Sequence, residues 1–226
     1  GARPGQGGGG VRVRPRRPAA ARPGRAALTG PALLPQTPAT LAAGLVDRLA
    51  ELPGVPRVLL DGVGGHELAD DVVGGLTAAG RTPVRICARD FWRPAGERLQ
   101  HGREDAEAYR DSWLDAGALR REVLDADGTV LTALWDVDRD RSARRSRRPV
   151  PPRAVLLVDG MFLLGLGLPA ELVVHVTLSA AALLRRGVLA WQLPAFASYD
   201  ELAQPRLACD VLVRAEDPLR PAVRWP

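Results

Sequence analysis

Lysine is missing from this sequence, since all 31 basic residues are arginine. No lysine ammonium group is therefore available for a Schiff base or for binding a phosphate. Alanine, glycine, arginine and proline are abundant at the same time, a composition typical of a GC-rich genome. Whatever its origin, the absence of lysine excludes every mechanism that depends on that side chain.

Cysteine and histidine are scarce as well. Cys87 and Cys209 lie in apolar stretches, which predicts small buried side chains and not a disulfide framework. Two unpaired cysteines suit a reducing cytoplasm. The three histidines (His66, His101 and His175) lack the spacing of zinc ligands. We therefore expect a cytoplasmic protein without a structural zinc site.

Long apolar runs are also absent. No uncharged apolar segment reaches the roughly 18 residues that a membrane-spanning helix needs. The most apolar region, residues 154–184, is interrupted by Asp159, Glu171 and His175. The first 36 residues have no compact apolar stretch of the kind found in a secretory signal. The sequence predicts no membrane partner.

Residues 1–36 contain seven arginines, many glycines and prolines, and no acidic residue. This composition predicts a disordered tail. Its positive charge could attract nucleic acid without sequence preference and with a steep salt dependence. Residues 37–226 carry 24 arginines and 26 acidic residues, so we expect nucleic-acid binding only through the tail.

Beyond residue 36, short apolar strands alternate with helices. Thr37-Pro38 predicts an N-cap and the first position of a helix that ends at Pro53-Gly54. Further helices are predicted at 68–80, at 103–125 with breaks near Ser112 and Gly117, and at 179–186. Strands are predicted at 58–60, 84–88, 130–135, 154–158, 172–178, 210–214 and 222–225, with a polar loop at 138–149. The alternation indicates an α/β domain with a mainly parallel sheet covered on both faces.

Three aspartates follow predicted strands directly, namely Asp61, Asp90 and Asp159. Ligands of such sheets bind at the carboxyl ends of the strands. We therefore expect a binding site where these aspartates meet.

Six segments resemble, in order and spacing, the uridine kinase-like family. They are RVLLDG (57–62), RDFWRP (89–94), REDAEAY (103–109), ALRR (118–121), AVLLVDGMFLL (154–164) and DVLVR (210–214). The resemblance covers residues 37–226 and implies a Rossmann-like P-loop NTPase fold. It also implies ATP and Mg²⁺ as cofactors, and transfer of the ATP γ-phosphoryl group to a nucleoside 5′-hydroxyl.

The phosphate-binding loop departs from the family pattern G-x-x-x-x-G-K-[ST]. Residues 61–70 are DGVGGHELAD, about three residues short and without the Lys and Ser/Thr. Gly62, Gly64, Gly65 and His66 remain candidates for holding phosphate at a helix N-terminus, whereas Glu67 would repel it. The alternative is an ordinary glycine turn with an exposed histidine.

The resemblance also implies roles for four aspartates. Asp90 would accept the proton of the attacking hydroxyl, although Arg89 stands where the family has a first acidic residue. Asp159 would hold Mg²⁺ through water, and Asp115 and Asp136 would contact the nucleoside. For Asp90 and Asp159, solvated residues at strand ends are the alternative interpretation.

Three functions follow as hypotheses. The first is a nucleoside kinase of impaired activity that binds a nucleotide and a nucleoside. The second is a pseudokinase, an inactive nucleotide-binding or scaffold module, because Lys and Ser/Thr are both missing from the loop. The third is nucleic-acid binding by the arginine-rich tail. The oligomeric state stays open.

Overall fold

Our computed structural model describes residues 32–226. The architecture of this part follows from the burial of its apolar strands. The strands are β1 (Leu34–Pro35), β2 (Arg57–Asp61), β3 (Thr82–Cys87), β4 (Thr129–Val130), β5 (Trp135–Asp136), β6 (Arg141–Ser142), β7 (Arg148–Pro149), β8 (Ala154–Gly160), β9 (Leu172–Thr177), β10 (Val211–Arg214) and β11 (Ala222–Arg224). The helices are α1 (Pro38–Glu51), α2 (Gly65–Ala78), α3 (Ala95–Arg98), α4 (Ala106–Asp111), α5 (Ala116–Leu119), α6 (Ala180–Arg185), α7 (Leu193–Ala203) and α8 (Pro205–Ala208). Two 3₁₀ turns (Ala88–Phe91 and Ala190–Gln192) and one π-helical turn (Arg120–Leu124) complete the elements.

Seven strands form the main sheet in the order β1-β11-β10-β9-β2-β8-β3. The five strands from β10 to β3 are parallel, while β11 runs antiparallel to β10 and to β1. Two small sheets pair β4 with β7 and β5 with β6. The predicted α/β class with a mainly parallel central sheet is confirmed.

Both faces of the sheet are buried. On β2, Val58 and Leu60 pack with α1 and α2, whereas Leu59 points to the opposite face and joins a second core there. Successive side chains of a strand alternate in this way, so a strand covered on both faces must be apolar throughout. The continuous apolar run of β8 has the same cause.

The start of α1 agrees with its sequence signals, whereas the start of α2 does not agree with the apolar pattern. The Thr37 hydroxyl accepts a hydrogen bond from the Thr40 N–H, and Pro38 opens α1 as predicted. Helix α2 starts at Gly65, directly after the glycine turn, and ends at Ala78. It therefore begins three residues earlier than the apolar pattern alone predicts.

The prediction of one strand over 130–135 is wrong. The backbone N–H of Leu131 donates to the Glu122 carbonyl and that of Leu134 to the Asp90 carbonyl, so the middle of this segment has other partners. Only its ends pair, and their partners β6 and β7 come from the segment predicted as a polar loop. The predicted break near Ser112 is confirmed, because α4 ends at Asp111, and α5 begins at Ala116, so Gly117 lies just inside the helix that follows the break.

The folded part begins before residue 37. Leu34 pairs with Val223, and the Gln36 N–H donates to the Pro221 carbonyl at 2.8 Å. These contacts use main-chain groups only, which a composition-based boundary does not detect. The predicted tail otherwise falls on residues 1–31, outside the described part. Within residues 32–226, no helix combines the length and the apolarity needed to cross a bilayer.

Candidate functional site

The strand register brings three carboxyl ends together. Asp61 of β2 lies opposite Gly160 of β8 and opposite His175 of β9. Cys87, the last residue of β3, lies opposite Asp159 of β8. The ends of β2, β3 and β8 therefore form one edge, where parallel sheets bind ligands.

A cavity of about 630 Å³ opens at this edge. Ligand sites of globular proteins usually measure about 300–1,000 Å³. The cavity is lined by Gly62, Val63, Gly64, His66, Glu67, Cys87, Ala88, Arg89, Asp90, Trp92, Tyr109, Arg110, Leu114, Asp159, Gly160, Met161 and Phe162. The predicted loop residues, Asp90 and Asp159 thus border one space, except for Gly65, which is buried behind the turn.

The glycine turn requires glycine. Gly62 and Gly64 have φ angles of 105° and 108°, which side-chain-bearing residues rarely adopt. A Cβ atom on Gly65 would lie 2.5 Å from the Leu60 carbonyl oxygen. The turn leads directly into the 14-residue helix α2, whose first N–H groups have no acceptor within the helix. This backbone can hold an anion.

The charges beside the turn are mixed. Glu67 lies in the first turn of α2 and is exposed to the cavity. The Arg186 guanidinium lies 3.9 Å from the Glu67 carboxylate, and its Nη1 lies 3.3 Å from where a Cβ on Gly64 would stand. Arg186 thus places a cation against the glycine turn.

A buried polar network fixes the end of β2 beneath the turn. The Asp61 carboxylate is fully buried and accepts hydrogen bonds from the Leu163 N–H (2.9 Å), the Tyr199 hydroxyl (2.9 Å) and His175 Nδ1 (2.7 Å). The Tyr199 oxygen in turn accepts from the Leu164 N–H. Burial and the nearby Asp61 charge raise the pKa of Tyr199 well above its usual value. The network ties β2 to β9, α7 and the segment after β8.

Asp159 is buried, and both of its oxygens are engaged. Oδ1 accepts a hydrogen bond from Arg85 Nε at 2.9 Å, and Oδ2 lies 3.1 Å from His66 Nδ1. The Arg85 guanidinium also contacts Asp70 and the His66 carbonyl. Mg²⁺ prefers octahedral oxygen ligands and keeps several waters. A 1% exposed carboxylate beside a guanidinium and an imidazole does not fit that ion.

Cys87 lies next to Asp159 at this edge. Burial, and secondarily the Asp159 charge, raise the pKa of the Cys87 thiol to about 11. His66, by contrast, has a side chain that is 63% exposed. The structure therefore combines a thiol, an imidazole and a carboxylate on one wall of the cavity.

Asp90 lies in the 3₁₀ turn after β3 and is half-buried. Its pKa is raised above the usual aspartate value, first by burial and then by the charge of Asp159, while Arg89 opposes the shift. Arg89 itself forms a two-pronged ion pair with Asp138. Asp90 is thus the cavity carboxylate best placed to accept a proton.

Asp115 and Asp136 make other contacts. The Asp115 carboxylate caps α5 by accepting from the Ala118 N–H, and Asp136 pairs with Arg139 at 2.9 Å. Among the described residues, neither lines the cavity. Their predicted nucleoside contacts have no support from this geometry.

Three aromatic side chains form part of the cavity lining. Trp92, Tyr109 and Phe162 line the cavity, and Tyr109 packs edge-on against both other rings at centroid distances of 6.3 and 5.3 Å. Trp113, by contrast, is buried, and Trp135 donates its indole N–H to Asp140. Only Trp92 of these three indoles faces the cavity.

Sequence reasoning missed Arg85, Arg186 and the partners of Asp61. Arg85 carried one signal, because it is a charged residue inside an otherwise apolar strand and shares a face with Cys87. The partners of Asp61 come from β9, α7 and the segment after β8, all more than 100 residues away in sequence, and carried no local signal.

Comparison with known proteins defines the fold. No protein-family profile matches the sequence, and no curated protein matches it significantly. A structure described as a possible uridine kinase from Bacillus stearothermophilus superposes with a TM-score of 0.62 at 18% identity, covering 76% of this chain and 96% of the other. A candidate fructose transport system kinase from a Silicibacter species gives a TM-score of 0.55 at 21% identity, covering 84% and 97%. The chain therefore shares the fold of these two structures, an α/β fold with a mainly parallel central sheet flanked by helices.

Proposed function

We propose that this protein is a slow nucleoside kinase, which transfers the γ-phosphoryl group of ATP to a nucleoside hydroxyl. The observation that carries the proposal is the single cavity bordered by the glycine turn, Asp90 and three aromatic side chains. The similarity to a possible uridine kinase and a candidate sugar-transport kinase supports the same reaction type.

The donor half of the site would hold the triphosphate. The glycine turn and the N-terminus of α2 offer backbone N–H groups to its oxygens, and the helix dipole favours negative charge there. Arg186 supplies a guanidinium next to Gly64. Glu67 opposes binding, but its carboxylate is partly neutralised by Arg186 at 3.9 Å.

The acceptor half would hold a nucleoside in preference to a simple sugar. Trp92 is partly exposed at the cavity and could stack on a planar base, and the buried rings of Tyr109 and Phe162 complete the apolar lining behind it. Asp90 borders the same space and would accept the proton of the attacking hydroxyl. Its raised pKa makes it a better proton acceptor than an ordinary aspartate.

The absence of a lysine in the glycine turn is expected to lower the rate of phosphoryl transfer. A single donor aimed at developing transition-state charge is worth about 3–4 kcal/mol, or roughly a hundred- to a thousandfold in rate. Arg186 lies beside the turn and not within it, so it compensates for only part of this loss. We therefore expect turnover well below that of a kinase with an intact loop.

Replacing Asp90 by asparagine tests the proposed role directly. We expect phosphoryl transfer from radiolabelled ATP to a panel of nucleosides to fall by at least about a hundredfold, since general-base catalysis contributes about 10²–10⁴. Asp127→Asn, which makes the same change at an exposed site, is the control and should keep wild-type activity. Equal activity of Asp90→Asn and the wild type would remove Asp90 from the mechanism.

The pH dependence of kcat/KM provides a second test. The carboxylate form of Asp90 is the active one, so activity should fall as the pH drops through its pKa. Because burial raises that pKa, the acid limb should lie above the ordinary aspartate value of about 3.9. A limb at or below that value would contradict the assignment.

A pseudokinase is the second candidate, and the geometry of Asp159 favours it. Both oxygens of this buried carboxylate are engaged by Arg85 and His66, which leaves none free in the present arrangement. Such a protein would bind nucleotide without transferring phosphate. Saturable ATP binding with no transfer above background at high enzyme concentration would establish this alternative and exclude the kinase.

A further inference from the structure

Three potential metal ligands from separate elements converge at the carboxyl edge of the sheet. His66 lies in the first turn of α2, Cys87 ends β3, and Asp159 lies near the end of β8. One ligand atom from each lies within 4.8 Å of the other two. Their sequence separations of 21 and 72 residues match no zinc motif, so only the fold brings them together.

We propose that His66, Cys87 and Asp159 form a binding site for one divalent transition-metal ion, with Zn²⁺ as the preferred ion. The site lies on the wall of the cavity and is distinct from the Mg²⁺ role expected for Asp159 by resemblance.

The ligand spacing supports the proposal. Zinc binds imidazole nitrogen and carboxylate oxygen at about 2.0–2.2 Å and thiolate at about 2.3 Å, which separates tetrahedral ligand atoms by about 3.3–3.6 Å. His66 Nδ1 already lies 3.1 Å from Asp159 Oδ2. The His66 side chain is 63% exposed and so has room to adjust towards the thiol of Cys87.

The hydrogen bonds around His66 also indicate an ion. Nδ1 lies 2.7 Å from Arg85 Nη2, which can only donate, and 3.1 Å from the Asp159 carboxylate, which can only accept. A single ring nitrogen cannot satisfy both partners at once. A cation between Nδ1 and Oδ2 would accept lone pairs from both atoms, and Arg85 Nη2 would then have to move away from Nδ1 and donate to the His66 carbonyl alone.

Arg85 would orient the carboxylate ligand. Its Nε donates to Asp159 Oδ1 at 2.9 Å, which leaves Oδ2 to face the other two ligands. Its Nη2 also donates to the His66 carbonyl at 2.8 Å and can keep that bond when Nδ1 binds the ion. Such outer contacts typically contribute about 10–100-fold to metal affinity.

The chemistry of the three ligands selects the metal. Thiolate and imidazole favour zinc and related borderline-soft ions, whereas Mg²⁺ and Ca²⁺ require oxygen ligands. Three protein ligands leave a fourth position, and all three residues line the cavity. That position would be taken by water or by an oxygen atom of a cavity ligand.

The metal site does not depend on the proposed kinase activity, because binding is measured without nucleotide or nucleoside. If zinc binds and phosphoryl transfer is absent, the kinase proposal fails and the metal site stands. If transfer occurs and no zinc binds, the reverse holds.

Cobalt titration of the full-length, chelator-treated protein tests the site. We expect one equivalent of Co²⁺ to produce the visible bands of a tetrahedral ion together with a thiolate-to-cobalt charge-transfer band in the near ultraviolet. Zn²⁺ should displace the cobalt, and a large excess of Mg²⁺ should not.

Matched variants assign the ligands. Cys87→Ser should abolish the charge-transfer band and His66→Ala should weaken Co²⁺ binding by at least about tenfold. Cys209→Ser and His101→Ala change the same residue types elsewhere and should leave the spectrum unchanged. Circular dichroism should be used to check that each variant is folded. If Cys87→Ser or His66→Ala is not folded, Asp159→Asn takes its place as the ligand variant. A missing cobalt spectrum, or a charge-transfer band that survives in folded Cys87→Ser, would overturn the proposal.

Discussion

Asp61→Asn is expected to lower the free energy of unfolding by about 2–4 kcal/mol. The fully buried carboxylate accepts three hydrogen bonds, and the asparagine amide would replace one accepting oxygen by a donor. A buried polar group left without a partner costs about 1–3 kcal/mol, and the cost is larger when the hydrogen bond that is lost involved a charged group such as this carboxylate. Urea unfolding followed by circular dichroism measures the change.

The control for this variant is Asp71→Asn. Asp71 is exposed on α2, so the same loss of charge should change stability by less than about 0.5 kcal/mol. If Asp61→Asn and Asp71→Asn were equally stable, the network beneath the glycine turn would not fix the end of β2. His175 and Tyr199 would then be free to rearrange at little cost.

Gly62→Ala should destabilise the fold by about 2–5 kcal/mol. The backbone at Gly62 has a φ of 105°, and an added Cβ would lie 2.2 Å from the carbonyl oxygen of Val176. That carbonyl belongs to β9, which is paired on both sides and cannot withdraw without breaking the sheet. Backbone strain of this kind costs about 1–3 kcal/mol and overpacking a similar amount.

Gly74→Ala, in the helix that follows the turn, is expected to raise stability instead of lowering it. Gly74 is exposed within α2, and a Cβ there would meet no atom within 4 Å. Alanine should stabilise this helix by about 0.5–1 kcal/mol. Thermal unfolding of both variants should therefore shift in opposite directions. A Gly62→Ala protein as stable as Gly74→Ala would show that the turn adopts another conformation.

The central strands were predictable because burial on both faces forces an apolar run. Most residues of β2, β8 and β9 are apolar. The predicted start and end of each strand agree with the structure to within about one residue in most cases. Helix starts were predictable where a cap residue marks them, as Thr37 does for α1 and Ser179 for α6.

Segments held by single main-chain contacts were not predictable. The segment 130–135 is apolar enough for a strand, but its middle donates to carbonyls of Glu122 and Asp90. β6 and β7 are two-residue strands in an arginine-rich stretch without strand propensity. Their pairing depends on where the surrounding chain happens to lie, which local sequence does not encode.

The candidate site was predictable only in part. Asp90 and Asp159 could be placed at one edge because parallel strands share the direction of their carboxyl ends. Their partners could not, since Arg85, His66 and Cys87 approach Asp159 only through the register of β3 with β8 and the position of α2. Tertiary contacts of this kind change the role of a residue without changing its sequence pattern.

Nucleotide binding at the glycine turn is the central claim, and calorimetric titration with ATP tests it most directly. Gly64→Asp places a carboxylate in the turn at a φ of 108°, which is a strained position for any side chain, so circular dichroism must first show that the variant is folded. Gly102→Asp makes the same change at a φ of 116° in open space and is the matched control. The wild type and Gly102→Asp should bind one equivalent of ATP alike, and Gly64→Asp should bind at least about tenfold more weakly, a loss of about 1.4 kcal/mol. Absence of ATP binding by the wild type, or equal binding by Gly64→Asp, would contradict the account.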